Sequence, residues 1–196
     1  MDNNLRFTYW NQGNTTPELW GHRACNLAYS ANLIYQRSSL AGKALFGEES
    51  PQNGTPEAQQ LISESSMSPI AYMLAGFAIE NVLKGLIIQQ INAEPSTIDG
   101  DVRLRKLTTT HDLTQLAKDA GIDPEDAVAE LLSTLTEFLV WVGRYPRPRK
   151  LKDYMKEPDP LIGRKTRDPS TSDNQWLVFV RLFNELVPRI LRPVKK

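Results

Sequence analysis

The chain is short of the residues from which reactive centres are usually built. Its 196 residues include one cysteine, Cys25, and two histidines, His22 and His111. A single cysteine excludes an intramolecular disulfide and a thiolate zinc site. Its neighbours Ala24, Leu27 and Ala28 mark Cys25 as a small core residue rather than a reactive thiol. The sequence contains no nucleophile motif, no metal-ligand cluster and no phosphate loop, so no cofactor or metal is expected. Net charge is missing too. Twenty-three basic and 23 acidic side chains cancel, so no global field draws the protein to nucleic acid or membrane, and any such attraction is local. There is no internal repeat and no useful run of strand-like alternation. The N-terminal stretch MDNNLRFTYWNQGN lacks the apolar centre of a secretory signal. A soluble, cytoplasmic protein is expected.

What the chain does contain is helix punctuation. Thr16-Pro17-Glu18 combines a capping hydroxyl, a proline suited to the first helical position and an acid placed against the dipole. Leu19, Trp20, Ala24, Leu27, Ala28, Ala31, Ile34 and Tyr35 follow at helical spacing, and the helix is expected to run to Phe46 and stop at Gly47. Glu48–Ser68 reads as a loop with a short helical turn around Glu57–Ser63. Ser68-Pro69 opens a second long helix, expected to last to about Ile91. Asp112 and Gln115 resemble a capping box for a short helix closed by Ala120-Gly121. Asp123-Pro124-Glu125 starts a further helix with the buried stripe Leu131, Leu132, Leu135, Phe138, Leu139 and Val142, ending near Trp141 at Gly143. After a long Pro-rich, basic loop over 143–172, the chain closes with Trp176–Leu191, striped by Trp176, Phe179, Val180, Phe183, Val187 and Ile190, with Pro188 disturbing its last turn. The expected fold class is all-α: one domain over 1–196, a bundle of four major helices plus short ones, its core at about 17–142 and 173–192.

The most apolar segment, Ala71–Gln90, keeps Glu80 and Lys84 one turn apart near its middle. It is no membrane span, because each charge there would cost about 2.5–3.5 kcal/mol on the mildest insertion scale. The pair has the favoured orientation for a helical ion pair. It reads either as a structural pair that satisfies itself at the bundle edge or as the polar lining of a cleft or dimer seam.

Three ordered pieces carry a family resemblance: GFAIENVLKGLII at Gly76–Ile88, THDLTQLAKDAGI at Thr110–Ile122 and GRYPRP at Gly143–Pro148. Together the chain resembles the HEPN domain superfamily. The resemblance implies a helical bundle, often dimeric, found in toxin–antitoxin and defence systems. Its members are in many cases metal-independent RNases, and in others bind nucleotides or act as scaffolds. It also implies that the Glu80–Lys84 pair is structural. This chain departs from the nuclease branch, in which an Arg is followed a few residues later by a His at the start of a late helix. Its last helix holds no His, so weak or absent RNase activity is expected.

Candidate site residues follow. His111, beside Asp112 at a helix start, can act as acid, base or phosphate ligand, or simply pack. Arg103, Arg105 and Lys106 precede it and suit anion contact. Between Arg144 and Asp168 nine Lys or Arg face four acids. Within that stretch Arg144, Tyr145, Arg147, Arg149 and Lys150 suit phosphate contact with base stacking. Arg144, next to a helix end, is expected to reach back to an inward carboxylate such as Glu80. Should RNA be cleaved, the one arrangement available is His111 assisting 2′-OH attack with Arg144 or Arg105 stabilising the phosphorane. The leading reading is an RNA- or nucleotide-binding protein that forms homodimers through its long helices. The alternative is a non-catalytic dimeric scaffold whose long loop docks a protein partner.

Overall fold

A computed structural model describes residues 15–93, 107, 109–142 and 169–191. These residues are all-α, with no strand among them. In chain order the elements are α1 (Pro17–Phe46), α2 (Pro56–Ser65), α3 (Ser68–Ala93), α4 (Leu113–Asp119), α5 (Asp126–Glu137) and α6 (Pro169–Leu191). A π-helical turn, Phe138–Val142, continues α5.

The element ends show the physics that the sequence suggests, with differences in detail. Pro17 opens α1 and Glu18 sits in its first turn, but the Thr16 side chain makes no capping hydrogen bond. Gly47 ends the helix in extended backbone, at φ −81°, rather than in the left-handed region. A hydroxyl cap does form at α2, where Thr55 Oγ1 accepts from the Ala58 N–H at 3.2 Å. That element is a ten-residue helix rather than a short turn. At α4, Asp112 accepts from the Gln115 N–H at 3.0 Å. Gly121 closes this helix at φ +70°, a conformation that a side chain disfavours. The last helix begins at Pro169, so residues 169–172, expected as loop, are helical. Pro188 lies inside α6; proline lacks only its own N–H, and the helix carries on three residues beyond it.

α3 is the axis of the assembly. Ala78 to Ile88 is buried without a break, because α1, α6, α4, α5 and the π turn all pack on it. α2 lies against the second half of α1, where Arg37 Nη2 donates to Glu64 Oε1 at 2.7 Å and Ser38 Oγ to the Ser65 carbonyl at 2.8 Å. The Glu64 carboxyl is held below its ordinary range by that hydrogen bond from Arg37, helped by one from Gln60. Leu19, expected in the core stripe of α1, is 51% exposed. Leu182 and Leu186, outside the expected stripe of α6, are buried. Between α1, α3, α6 and the π turn stands an aromatic stack. Tyr35 lies flat on Trp176 at 4.0 Å between centroids, and Tyr72 meets Trp176 edge-on and stacks on Phe138. Its polar rims are tied off: Tyr35 Oη donates to Asp173 at 2.7 Å and Trp176 Nε1 to Asn32 at 3.3 Å.

The homodimer was expected from surplus apolar surface on Ala71–Gln90 and Trp176–Leu191. Most of that surface is buried inside the chain, while Leu177 stays 65% exposed. Most of the apolar window within α3 is buried, and Trp176, Phe179, Phe183 and Ile190 of α6 lie in the common core.

Two glycines let α3 be approached this closely. A Cβ on Gly76 would stand 2.9 Å from Leu139 Cγ and 3.2 Å from the Leu135 carbonyl, and one on Gly85 would stand 3.0 Å from Ile190 Cδ1 and 3.2 Å from Trp20 Cβ. Gly76→Ala forces the π turn away from α3 and is expected to destabilise by about 1–3 kcal/mol. Gly42→Ala in α1 meets nothing within 4 Å and is expected to stabilise by up to about 1 kcal/mol through helix propensity. Urea denaturation of the two variants beside the parent checks both signs; equal losses would show that packing at Gly76 is looser than the geometry states.

Candidate functional site

The site is built on the middle of α3. Glu80 and Lys84 follow one another by one turn, and Lys84 Nζ lies 2.6 Å from Glu80 Oε1. The pair is not at the bundle edge: the side chains are 4% exposed for Lys84 and 7% for Glu80. Two charges this far from water are tolerated only when each is satisfied in place. Lys84 takes one carboxylate oxygen, and the other meets His111 Nδ1 at 2.9 Å. Among the described residues no buried side-chain nitrogen or oxygen is left without a partner.

His111 reaches Glu80 because of how its short connection is anchored. Leu107 and Leu113, on either side of it, are buried. The Leu113 N–H donates to Thr136 Oγ1 at 3.1 Å, tying the start of α4 to the end of α5. At the other end of α4, Gln90 Nε2 donates to the Ala120 carbonyl at 2.9 Å, tying it to α3. These contacts leave His111 lying over the α3 turn that carries Glu80. Its side chain is 38% exposed, so the triad has one open end.

The chemistry follows from donor and acceptor rules. A carboxylate only accepts, so the bond to Glu80 places a proton on Nδ1. The neutral ring then presents Nε2 as an acceptor on its other edge. A carboxylate that fixes the imidazole tautomer and ring plane is the arrangement by which a histidine is prepared for proton transfer or for a directed hydrogen bond to a ligand. The same arrangement can serve structure alone.

Of the residues singled out from sequence, the structure unites Glu80, Lys84 and His111. The Glu80 carboxylate oxygens meet Lys84 and His111, and Arg144, expected to reach Glu80, lies outside the described residues. Arg103, Arg105, Lys106, Arg144, Tyr145, Arg147, Arg149 and Lys150 lie outside the described residues. His22 is exposed on α1, away from the triad in sequence. Cys25 is half-buried and free, and burial pushes its thiol up. Among the described residues there is no group of three or more His, Cys, Asp or Glu able to hold a metal ion. No family model, no curated protein and no solved structure matches the chain.

Removing one member of the buried pair tests its role. Glu80→Ala strands the Lys84 ammonium without a counter-charge and is expected to cost about 3–5 kcal/mol in urea denaturation. Glu80→Leu combined with Lys84→Met removes both charges and is expected to recover much of that loss. His111→Ala, at the exposed end, should cost far less than Glu80→Ala. A Glu80→Ala variant that unfolds like the parent would show that the pair is not sustaining the core.

Proposed function

We propose that the protein is a cytoplasmic, HEPN-like helical bundle that binds RNA or nucleotide phosphates at the open end of the Glu80–Lys84–His111 triad, inside a defence or toxin–antitoxin type system. The observation that carries this reading is His111: one ring edge is fixed by a buried carboxylate and the ring opens to solvent. The basic runs support it by their places in the chain. Arg103, Arg105 and Lys106 lead directly into Leu107 and His111, and Arg144 follows the π turn by two residues. That turn packs Leu139 against Gly76, one helical turn from Glu80. Phosphate contact by these cations, with Tyr145 supplying a stacking face, gives affinity without base specificity. If RNA is cut, His111 takes the 2′-OH proton at Nε2 as the 2′-oxygen bonds to phosphorus, and Arg144 or Arg105 meets the phosphorane charge. Glu80 holds the imidazolium. The P–O5′ bond then breaks as the imidazolium returns its proton to the departing 5′-oxygen. The departure from the Arg-spacer-His pattern of the late helix makes such cleavage weak or absent.

The alternative is a non-catalytic dimeric scaffold, and the mutual satisfaction of Glu80 and Lys84 in the core favours it.

Fluorescence anisotropy with a labelled single-stranded RNA separates the two. The log–log dependence of affinity on salt should have a slope of about −0.7 per phosphate contacted. Replacing Arg147, Arg149 and Lys150 by alanine should flatten that slope without changing the fold. His111→Ala should weaken binding about tenfold, the worth of one hydrogen bond to a charged group. RNA incubated in EDTA should be cut slowly or not at all, and any cleavage should vanish in His111→Ala. A parent protein that fails to bind at low salt would remove this reading and leave the scaffold.

A further inference from the structure

The turn that leads into α2 holds a residue pair found once in the sequence, Asn53-Gly54. The fold leaves that pair unguarded. The Thr55 N–H donates to the Gln52 carbonyl at 3.3 Å, which makes Asn53 and Gly54 the central residues of a β-turn. Gly54 has φ +86°, the value that a type II turn requires after its first central residue and that glycine meets without strain. Both residues are exposed. Nothing stands within 4 Å of where a Gly54 Cβ would be. No hydrogen bond among the described residues takes the Gly54 N–H or holds the Asn53 side chain.

The other asparagines among the described residues are placed differently. Asn26, Asn32, Asn81, Asn92, Asn174 and Asn184 lie in α1, α3 and α6, where the N–H of the following residue belongs to the helical ladder. Each is followed by a residue with a side chain, which hinders attack from that nitrogen. Asn32, Asn81 and Asn92 are also held by their own side-chain hydrogen bonds, to Trp176, the Phe77 carbonyl and the Thr15 carbonyl.

We infer that Asn53 is a site of self-modification, converting to aspartate and isoaspartate through a cyclic imide. The Gly54 amide nitrogen, on losing its proton, attacks Cγ of Asn53. A nitrogen–carbon bond forms and closes the ring. The tetrahedral carbon then expels the side-chain nitrogen, which takes up a proton and leaves as ammonia. Water opens the ring at either carbonyl. Breaking the bond from Gly54 nitrogen to Cγ restores the main chain and leaves aspartate. Breaking the bond from that nitrogen to the main-chain carbonyl carbon leaves isoaspartate, with the chain now running through Cγ. The balance is one water consumed and one ammonia released, with no electron transferred.

Both products add a negative charge two residues from Pro51, which lines a cavity together with Glu48, Glu49 and Glu57. Isoaspartate also lengthens the chain between Gln52 and Thr55. Those residues are joined by the turn bond and by Thr55 Oγ1 donating to the Gln52 carbonyl at 2.9 Å, and Thr55 caps α2 through the Ala58 N–H. The longer chain disturbs that cap. The far end of α2 stays tied to α1 through Arg37–Glu64 and Ser38–Ser65, so the bundle persists. The chemistry is independent of the triad and of any RNA bound there.

Incubating the whole chain in mildly alkaline buffer tests it, read by isoelectric focusing and peptide mass spectrometry, beside a free peptide covering Ser50–Glu57. An acidic form should accumulate, shifted by one charge and running level with an Asn53→Asp variant. The change should map to Asn53 with both product isomers present, and proceed at a rate close to that of the free peptide. The helical asparagines should stay intact, and the Asn53→Gln variant should lack the acidic form. A parent that stays a single species while the free peptide converts, a charge gain that maps to another asparagine, or an equal acidic form in Asn53→Gln each overturns the inference.

Discussion

Eleven consecutive buried residues on α3 impose a condition that the rest of the chain has to meet. A helix normally leaves one side to water, and a helix with no such side must be covered all round. α3 therefore dictates that helices arrive from several directions, and it dictates how near they come. At Gly76 and Gly85 the approaching atoms occupy the space that a Cβ would need, so these positions set the distance from α3 to the π turn and to the ends of α1 and α6. The same encirclement is what makes Glu80 and Lys84 costly. On a helix with a wet face the pair would be worth about 0.3–0.5 kcal/mol; here each partner is indispensable to the other.

Local signals in the sequence locate the long helices and α4, because caps and stops act within a few residues, while α2 reads there as a loop with one helical turn. The Asp112–Gln115 cap and the turn at Gly121 appear as their residue types require. Less legible was how much of each face is covered, which depends on neighbours far along the chain. Leu19 has the right spacing for the core but lies exposed, because it is its neighbours Trp20 and Gly21 that face α3 and α6. Leu182 and Leu186 are buried outside the expected stripe because α6 is contacted by α1, α3 and α5 together, which widens its buried side beyond a single stripe. The all-round apolarity of Ala71–Gln90 is met for the most part by helices of the same chain.

The site divides along the same line. Glu80 and Lys84 announce themselves by i, i+4 spacing, a property of one helix. The bond from His111 spans thirty-one residues and rests on Leu107, Leu113, Thr136 and Gln90, none of which looks special in sequence. The one available hint was chemical. A carboxylate in an apolar helix with a single cation on its own turn still has an oxygen to satisfy, and a histidine is one of the side chains that can donate to it. Among the described residues the fold supplies His111.

The polar contacts do something the apolar ones do not. Ridges packed into grooves can shift by a whole ridge at modest cost, since one apolar side chain replaces another. A hydrogen bond in the core has no such substitute, because a shift leaves both partners unsatisfied. Several long-range polar contacts join elements that are distant in the chain. His111 to Glu80 and Gln90 to Ala120 hold the α4 region to α3 at two points, Leu113 to Thr136 holds it to α5, and Tyr35 to Asp173 with Trp176 to Asn32 holds α1 to α6. Apolar burial thus brings the helices together around α3, while these bonds set where along its length each one stops. The imidazole of His111 is presented at the surface as a by-product of that same registration, which is why its orientation is as well defined as the core beneath it.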